Sequence, residues 1–258
     1  MDAAWLRSRL GDPSLAVVDC RWHIGEPGAG ARDYRAGHVP GAAFMDVETD
    51  LSAPAGAGGR HPLPAADDFE AAARRAGISW WTTVVAYGEG AARLWWLLRH
   101  FGHGSAAVLD GGLRAWREQV GELRTGPEEV PAGGFAARPR DDDTVTVEEI
   151  IGGGGFVLLD ARTPERFRGE AEPIDPVAGH IPGARNLPYE EIAPGERFLP
   201  PRELRERLGD GDLVAYCGSG ITSCTLVLAA ELAGTGPARL YPGSWSEWSG
   251  RGLQVERH

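Results

Sequence analysis

Short apolar runs alternate with longer amphipathic stretches along this chain. Leu15–Asp19, Thr83–Tyr87 and Ala106–Leu109 in the first half, and Val157–Asp160, Leu213–Tyr216 and Arg239–Tyr241 in the second, are brief and almost wholly apolar. Such runs predict strands buried on both faces. Between and after them, 65–76, 91–101, 113–119, 201–208 and 223–232 carry helix-compatible patterns. Strands and helices in alternation predict an α/β fold with parallel sheets flanked by helices on both faces. In sheets of that kind ligands bind beyond the carboxyl ends of the strands.

The pattern is written twice. Gly37-His38-Val39-Pro40-Gly41-Ala42 returns as Gly179-His180-Ile181-Pro182-Gly183-Ala184, and the Gly/Trp stretch ending in Trp116 returns around Trp245 and Trp248. Val17-Val18-Asp19 matches Leu158-Leu159-Asp160, and Val85-Ala86-Tyr87 matches Val214-Ala215-Tyr216. Four matches in the same order predict two related domains. Gly121–Asp143 holds Pro127, Pro131, Pro139 and the run Asp141-Asp142-Asp143, the composition of a linker. The expected organisation is an N-terminal domain at 1–122, a linker at 123–143 and a C-terminal domain at 144–258.

The two halves differ in chemistry. After the strand ending at Tyr216 come Cys217-Gly218-Ser219-Gly220-Ile221-Thr222, and then an apolar helix. Gly218 and Gly220 allow successive N–H groups to turn toward one point, and the helix start adds partial positive charge. A thiol placed there is expected to be acidic, and the loop can hold an anion carried on its sulfur. Ser219 can hydrogen-bond that sulfur or pass a proton, whereas Thr222 is expected to cap the helix. In the first half the same position reads Tyr87-Gly88-Glu89-Gly90-Ala91, so a glycine stands where the cysteine would be. That half is expected to be inactive and to supply support and side chains.

Composition narrows the field. The 258 residues carry a net charge of −11, with no basic run and no aromatic–basic patch, which excludes a nucleic-acid partner. Every basic residue is arginine, so neither Schiff-base lysine chemistry nor a P-loop lysine is available. The three cysteines, Cys20, Cys217 and Cys224, form no CxxC pair, so neither a disulfide framework nor a metal site is expected. A reducing cytoplasm is the expected location, since no signal peptide or membrane-spanning run is visible. Cys224 falls in an apolar helix, and Cys20 follows a strand without a glycine loop; both are expected to be inert.

The cysteine loop, the paired GHxPGA motifs and the paired Gly/Trp motifs together resemble the tandem rhodanese-domain sulfurtransferases, within them the 3-mercaptopyruvate sulfurtransferases. The resemblance covers nearly the whole chain. It implies two rhodanese folds, the second active, and a persulfide intermediate on Cys217. It implies that His61, in Gly59-Arg60-His61-Pro62, joins Ser219 in a Ser–His–acid relay, with Glu48 where the family usually has Asp. It also implies that Arg166 binds the donor, as a guanidinium fork fits a carboxylate or the oxygens of thiosulfate. Gly218, Gly220, Ile221 and Thr222 are expected to line the donor site. Where the mercaptopyruvate pattern has a second arginine this chain has Asp175, and Arg60 is the candidate replacement. His38 and His180 occur in both halves and are therefore expected to serve the fold.

The expected reaction takes sulfur from a small anionic donor and passes it to cyanide, a thiol or a sulfur-accepting protein. No organic cofactor or metal is implied. The uncharged loop favours 3-mercaptopyruvate as donor over thiosulfate. Two other readings compete. A phosphatase of related fold needs Cys-x5-Arg, but the sixth residue after Cys217 is Ser223. A persulfide carrier or docking module for a partner protein would keep the cysteine without fast turnover on small donors.

Overall fold

Leu15–Asp19 (β1) and Thr83–Tyr87 (β3) each contribute four successive buried positions, which only a strand covered on both faces can accommodate. They pair in parallel, with Val17 opposite Val85, and Ala42–Phe44 (β2) and Ala106–Val108 (β4) close the two edges in the order β2-β1-β3-β4. The second sheet repeats the plan. Val157–Asp160 (β5), Arg185–Asn186 (β6), Leu213–Tyr216 (β7) and Arg239–Leu240 (β8) lie parallel in the order β6-β5-β7-β8. Helices such as Ala91–His100 and Ser223–Ala233 connect the strands. The α/β fold expected from the pattern is therefore present twice.

This computed structural model describes residues 1–257. They form two compact units, one of Met1–Ala53, Pro64–Arg140 and Gly195–Arg197, the other of Pro54–Leu63, Asp141–Pro194 and Phe198 onward. The units differ from the 1–122, 123–143 and 144–258 expected from composition. Residues 54–63 pack with the second unit: the Arg60 amide donates to Ser246 Oγ at 3.1 Å. At Gly59, with φ +99°, a Cβ would collide with the Gly243 carbonyl and with Ser246. The stretch expected to link the halves is largely pinned to the first unit. Arg124 and His38 exchange backbone hydrogen bonds, and Phe135 is buried edge-on against Phe69.

The repeated motifs build the same knot in each unit. Asp160 accepts two side-chain nitrogens of Arg162, whose Nη2 also donates to the Gly179 carbonyl at 2.7 Å. In the first unit Arg21 binds Asp19 and donates to Gly37 O at 2.8 Å. His38 Nδ1 donates to Tyr34 O and His180 Nδ1 to Phe167 O, each ring fully buried and stacked on its neighbour. These histidines hold the turn against the sheet in both halves. Trp116 in one core, and Trp245 and Trp248 in the other, fill the space beside the central strands. A buried tryptophan of this kind contributes up to about 4–6 kcal/mol of apolar burial.

Among the described residues, six helices and two strands lie outside the apolar pattern: Ala3–Arg9, Ala29–Ala36, Val147–Ile151, Pro164–Arg168, Tyr189–Ile192, Ser244–Gly250, β2 and β6. The strands have three and two residues, too few to display a period. The helix Ser244–Gly250 grows out of the second Gly/Trp motif.

Candidate active site

β7 ends at Tyr216 and the chain turns at once, so Cys217 stands beyond the carboxyl edge of a central strand. The second Gly/Trp motif fixes this turn from behind. The Cys217 amide donates to Ser244 Oγ at 3.1 Å, while the Trp245 and Ser246 amides donate to the carbonyls of Cys217 and Gly218. Gly220 adopts φ +81°, which glycine tolerates and which aims its amide at the Cys217 sulfur, 3.1 Å away. The eleven-residue helix Ser223–Ala233 then starts, its N-terminal dipole directed at the loop.

Cys217 is 2% exposed, and burial alone would push its thiol up. The Ser223 and Thr222 hydroxyls and the Ser219 and Ser223 amides outweigh burial, and the thiol is held below its ordinary value. Ser223 Oγ is fully buried and has no hydrogen-bond partner of ordinary geometry, so its hydroxyl is uncommitted beside the thiol it helps to lower. The other cysteines contrast with this. Cys20 is pushed well up by burial and by Asp19, Asp50 and Glu89, and Cys224 Sγ donates to the Gly220 carbonyl at 3.3 Å.

Two expectations change here. Thr222 occupies the N-cap position but makes no capping hydrogen bond; its backbone is already helical, and its hydroxyl serves the sulfur instead. Ser223 has no role in the expected site, although a hydroxyl opening the helix that follows a cysteine loop is the signal that marks it.

His61 Nδ1 and Ser219 Oγ share a hydrogen bond of 2.7 Å, and both side chains are buried. By sequence His61 stood in the first domain; by packing it belongs to the second unit with Ser219. Glu48 belongs to the first unit, where its Oε1 accepts the Trp22 indole N–H at 2.7 Å. Ile221 is buried beside the loop. Arg60 and Arg166 reach Gly218: a Cβ there would come within 2.8 Å of Arg60 Nη2 and 3.5 Å of Arg166 Nη1. Arg166 is held by Glu172, to which Nη2 donates at 2.6 Å, and Asp175 binds both arginines.

The corresponding loop of the first unit is occupied differently. The Gly88 amide donates to Glu196 Oε1 at 3.0 Å, and the Trp22 amide donates to Glu89 Oε2 at 3.0 Å. The Glu196 carboxylate thus takes from the Gly88 amide the hydrogen bond that the Cys217 amide gives to Ser244 Oγ in the second unit. Among the described residues no group of three or more His, Cys, Asp or Glu is placed to hold a metal ion. Among these residues no helix is long and apolar enough to cross a membrane. A cavity of about 290 Å³ bounded by Pro62, Leu63, Val147, Tyr241 and Glu247 is not lined by the cysteine loop.

The rhodanese-like domain family matches residues 2–119 and 143–251. The chain belongs to the rhodanese-like family. Among its relatives, a probable 3-mercaptopyruvate sulfurtransferase of Pseudomonas aeruginosa is 44% identical over 96% of this chain and 94% of that protein. A putative thiosulfate sulfurtransferase, SseB, of Mycobacterium tuberculosis is 43% identical over 93% of this chain and 89% of its own length. The 3-mercaptopyruvate sulfurtransferase structure from Leishmania major superposes with a TM-score of 0.85 at 31% identity, covering 97% of this chain and 74% of that one. SseA from Escherichia coli superposes with a TM-score of 0.82 at 32% identity, covering 96% and 98%. This rhodanese-like chain therefore shares both domains, in order, with sulfurtransferases.

Proposed function

We propose that this protein is a sulfurtransferase that carries sulfur as a persulfide on Cys217, with 3-mercaptopyruvate as donor and cyanide or a thiol as acceptor. The observation that carries the reading is the buried Cys217 thiol, kept acidic by converging amides and hydroxyls. A thiolate is the nucleophile that sulfur attack requires. It attacks the donor sulfur, the carbon–sulfur bond breaks, and its electron pair leaves on the methylene carbon of the pyruvate enolate. The proton released from the donor thiol moves through Ser219 and His61 to that carbon, which gives pyruvate. The outer sulfur of the persulfide is left with a negative charge, stabilised by the same amides that served the thiolate. Cyanide then takes that sulfur as thiocyanate and restores the thiolate. Arg166 and Arg60 hold the donor carboxylate, and Gly218, Gly220, Ile221 and Thr222 form the loop around it. Glu48 is the acid that the resemblance implies, and a Glu48→Gln variant with unchanged kcat for 3-mercaptopyruvate would remove it. The first unit lacks the thiol and is assigned no turnover. A reducing compartment such as the cytoplasm suits three free cysteines.

Thiosulfate is the second reading, favoured by two guanidinium groups above Gly218. The deciding experiment measures kcat/KM for sulfur transfer to cyanide from each donor, and follows Cys217 by mass spectrometry for the gain of one sulfur atom. Preference for 3-mercaptopyruvate supports the Ser219–His61 relay. Preference for thiosulfate removes the mercaptopyruvate assignment but leaves the persulfide. Turnover with neither donor, or full activity in Cys217→Ser, overturns the proposal; a stable persulfide with no turnover would instead favour a carrier for a partner protein.

A further inference from the structure

The donor site contains a carboxylate of its own. Asp175, 9% exposed, places one oxygen on Arg60 Nη1 and the other 3.3 Å from Arg166 Nη2. Glu172 accepts from Arg166 through both oxygens, at 2.6 and 3.1 Å, and from Arg162 Nη1 at 3.2 Å. Arg162 is otherwise taken by Asp160. The three guanidinium groups of Arg60, Arg162 and Arg166 thus face the three carboxylates of Asp160, Glu172 and Asp175, and the cluster is neutral before any donor arrives. Arg60 Nη2 is nevertheless buried with no acceptor, and it is the nitrogen nearest to where a side chain on Gly218 would lie. One donor is left open beside the cysteine loop, in a cluster without spare positive charge.

Resting on the sulfurtransferase reading, we propose that Asp175 is a specificity-determining residue that limits the charge of the sulfur donor: it neutralises Arg60 and Arg166, so the site accepts a monoanionic donor on the free Arg60 Nη2 and discriminates against a dianion. Two charges brought into a neutral, half-buried cluster cost more than one, and the difference is largest where solvent is excluded. The groups facing Asp175 are Arg60 from the 54–63 segment, Arg166 and Arg162 from the stretch after β5, and Glu172 from its own loop. Burial, with Glu172 acting in the same direction against the arginines, holds the Asp175 carboxyl above its ordinary value. An arriving anion therefore favours uptake of a proton by Asp175.

The test compares 3-mercaptopyruvate, a monoanion, with thiosulfate, a dianion, in the full chain and in Asp175→Asn. Removing one negative charge about one side chain away from the donor should raise kcat/KM for thiosulfate relative to 3-mercaptopyruvate by roughly tenfold or more, mainly through KM. Asp175→Glu keeps the charge and should keep the original ratio. A readout independent of turnover uses Cys217→Ser, titrated calorimetrically with pyruvate and with sulfate. Sulfate affinity should rise more than pyruvate affinity when Asp175→Asn is added, and proton uptake on pyruvate binding, measured in buffers of different ionisation enthalpy, should disappear. An unchanged donor ratio together with unchanged relative affinities overturns the proposal. Absence of turnover with both donors refutes the sulfurtransferase reading instead, while the anion titrations still decide the role of Asp175.

Discussion

Replacing Ser223 by alanine tests whether hydroxyl groups make the Cys217 thiol acidic. Ser223 is fully buried in the first turn of the helix Ser223–Ala233, and its hydroxyl is among the groups that lower the Cys217 thiol. Burial acts against the thiolate, so the net lowering needs the donors; Ser223→Ala deletes one hydroxyl and keeps the amide. A hydrogen bond to a charged acceptor contributes about 1.5–3 kcal/mol, and about 1.4 kcal/mol corresponds to one pKa unit, so the thiol should titrate about one to two units higher. The effect on rate is smaller. Below both pKa values each unit removes about tenfold of the thiolate, but a more basic thiolate is about threefold more nucleophilic, for a net slowing of about threefold per unit. The ultraviolet absorbance of the thiolate, titrated against Cys217→Ser as blank, reads the pKa directly. Iodoacetamide labelling with peptide mapping separates Cys217 from Cys20 and Cys224. Thr222→Val should shift the titration in the same direction. A Ser223→Ala protein with native circular dichroism and an unmoved titration would refute the hydroxyl account and leave the thiolate to the amides and the helix dipole.

Three further outcomes are expected. Gly220→Ala forces alanine into φ +81°, costs about 1–2 kcal/mol and disturbs the amide that points at the sulfur, so persulfide formation should slow, as stopped-flow kinetics would show. Arg162→Met leaves Asp160 buried and uncompensated, and should lower stability by about 3–5 kcal/mol in urea unfolding; Arg21→Met, at a more exposed pair, should lose less. Glu196 is held above the ordinary glutamate value by burial and by Glu89, so its contribution to stability is present at low pH and lost as pH rises through the raised value. Glu196→Gln should flatten that loss in a series of Tm measurements across acidic to neutral pH, and an unchanged slope would show that Glu196 is not its source.

Strands of four or five consecutive apolar residues were legible because burial on both faces leaves no polar position to obscure them. β2 and β6 were not, since two or three residues carry no period, and pairing with β1 and β5 is what makes them strands. The cysteine loop was legible because glycine, cysteine and an apolar helix stand together in sequence. The role of Thr222 was not: only the backbone geometry at the helix start shows that it does not cap. His61 was named through resemblance, but its 2.7 Å hydrogen bond to Ser219 spans 158 positions.

By itself the sequence determined the duplication, the α/β class and the inequality of the two halves, because these rest on local composition: apolar runs, repeated turns, and a cysteine in one loop against a glycine in the other. Tertiary structure alone decided that 54–63 packs with the second unit, that a carboxylate occupies the cysteine-free loop, and that Asp175 bridges Arg60 and Arg166. Those features depend on charges and donors brought together from distant positions, where burial and geometry set which groups pair, and no local pattern in the chain records such a pairing.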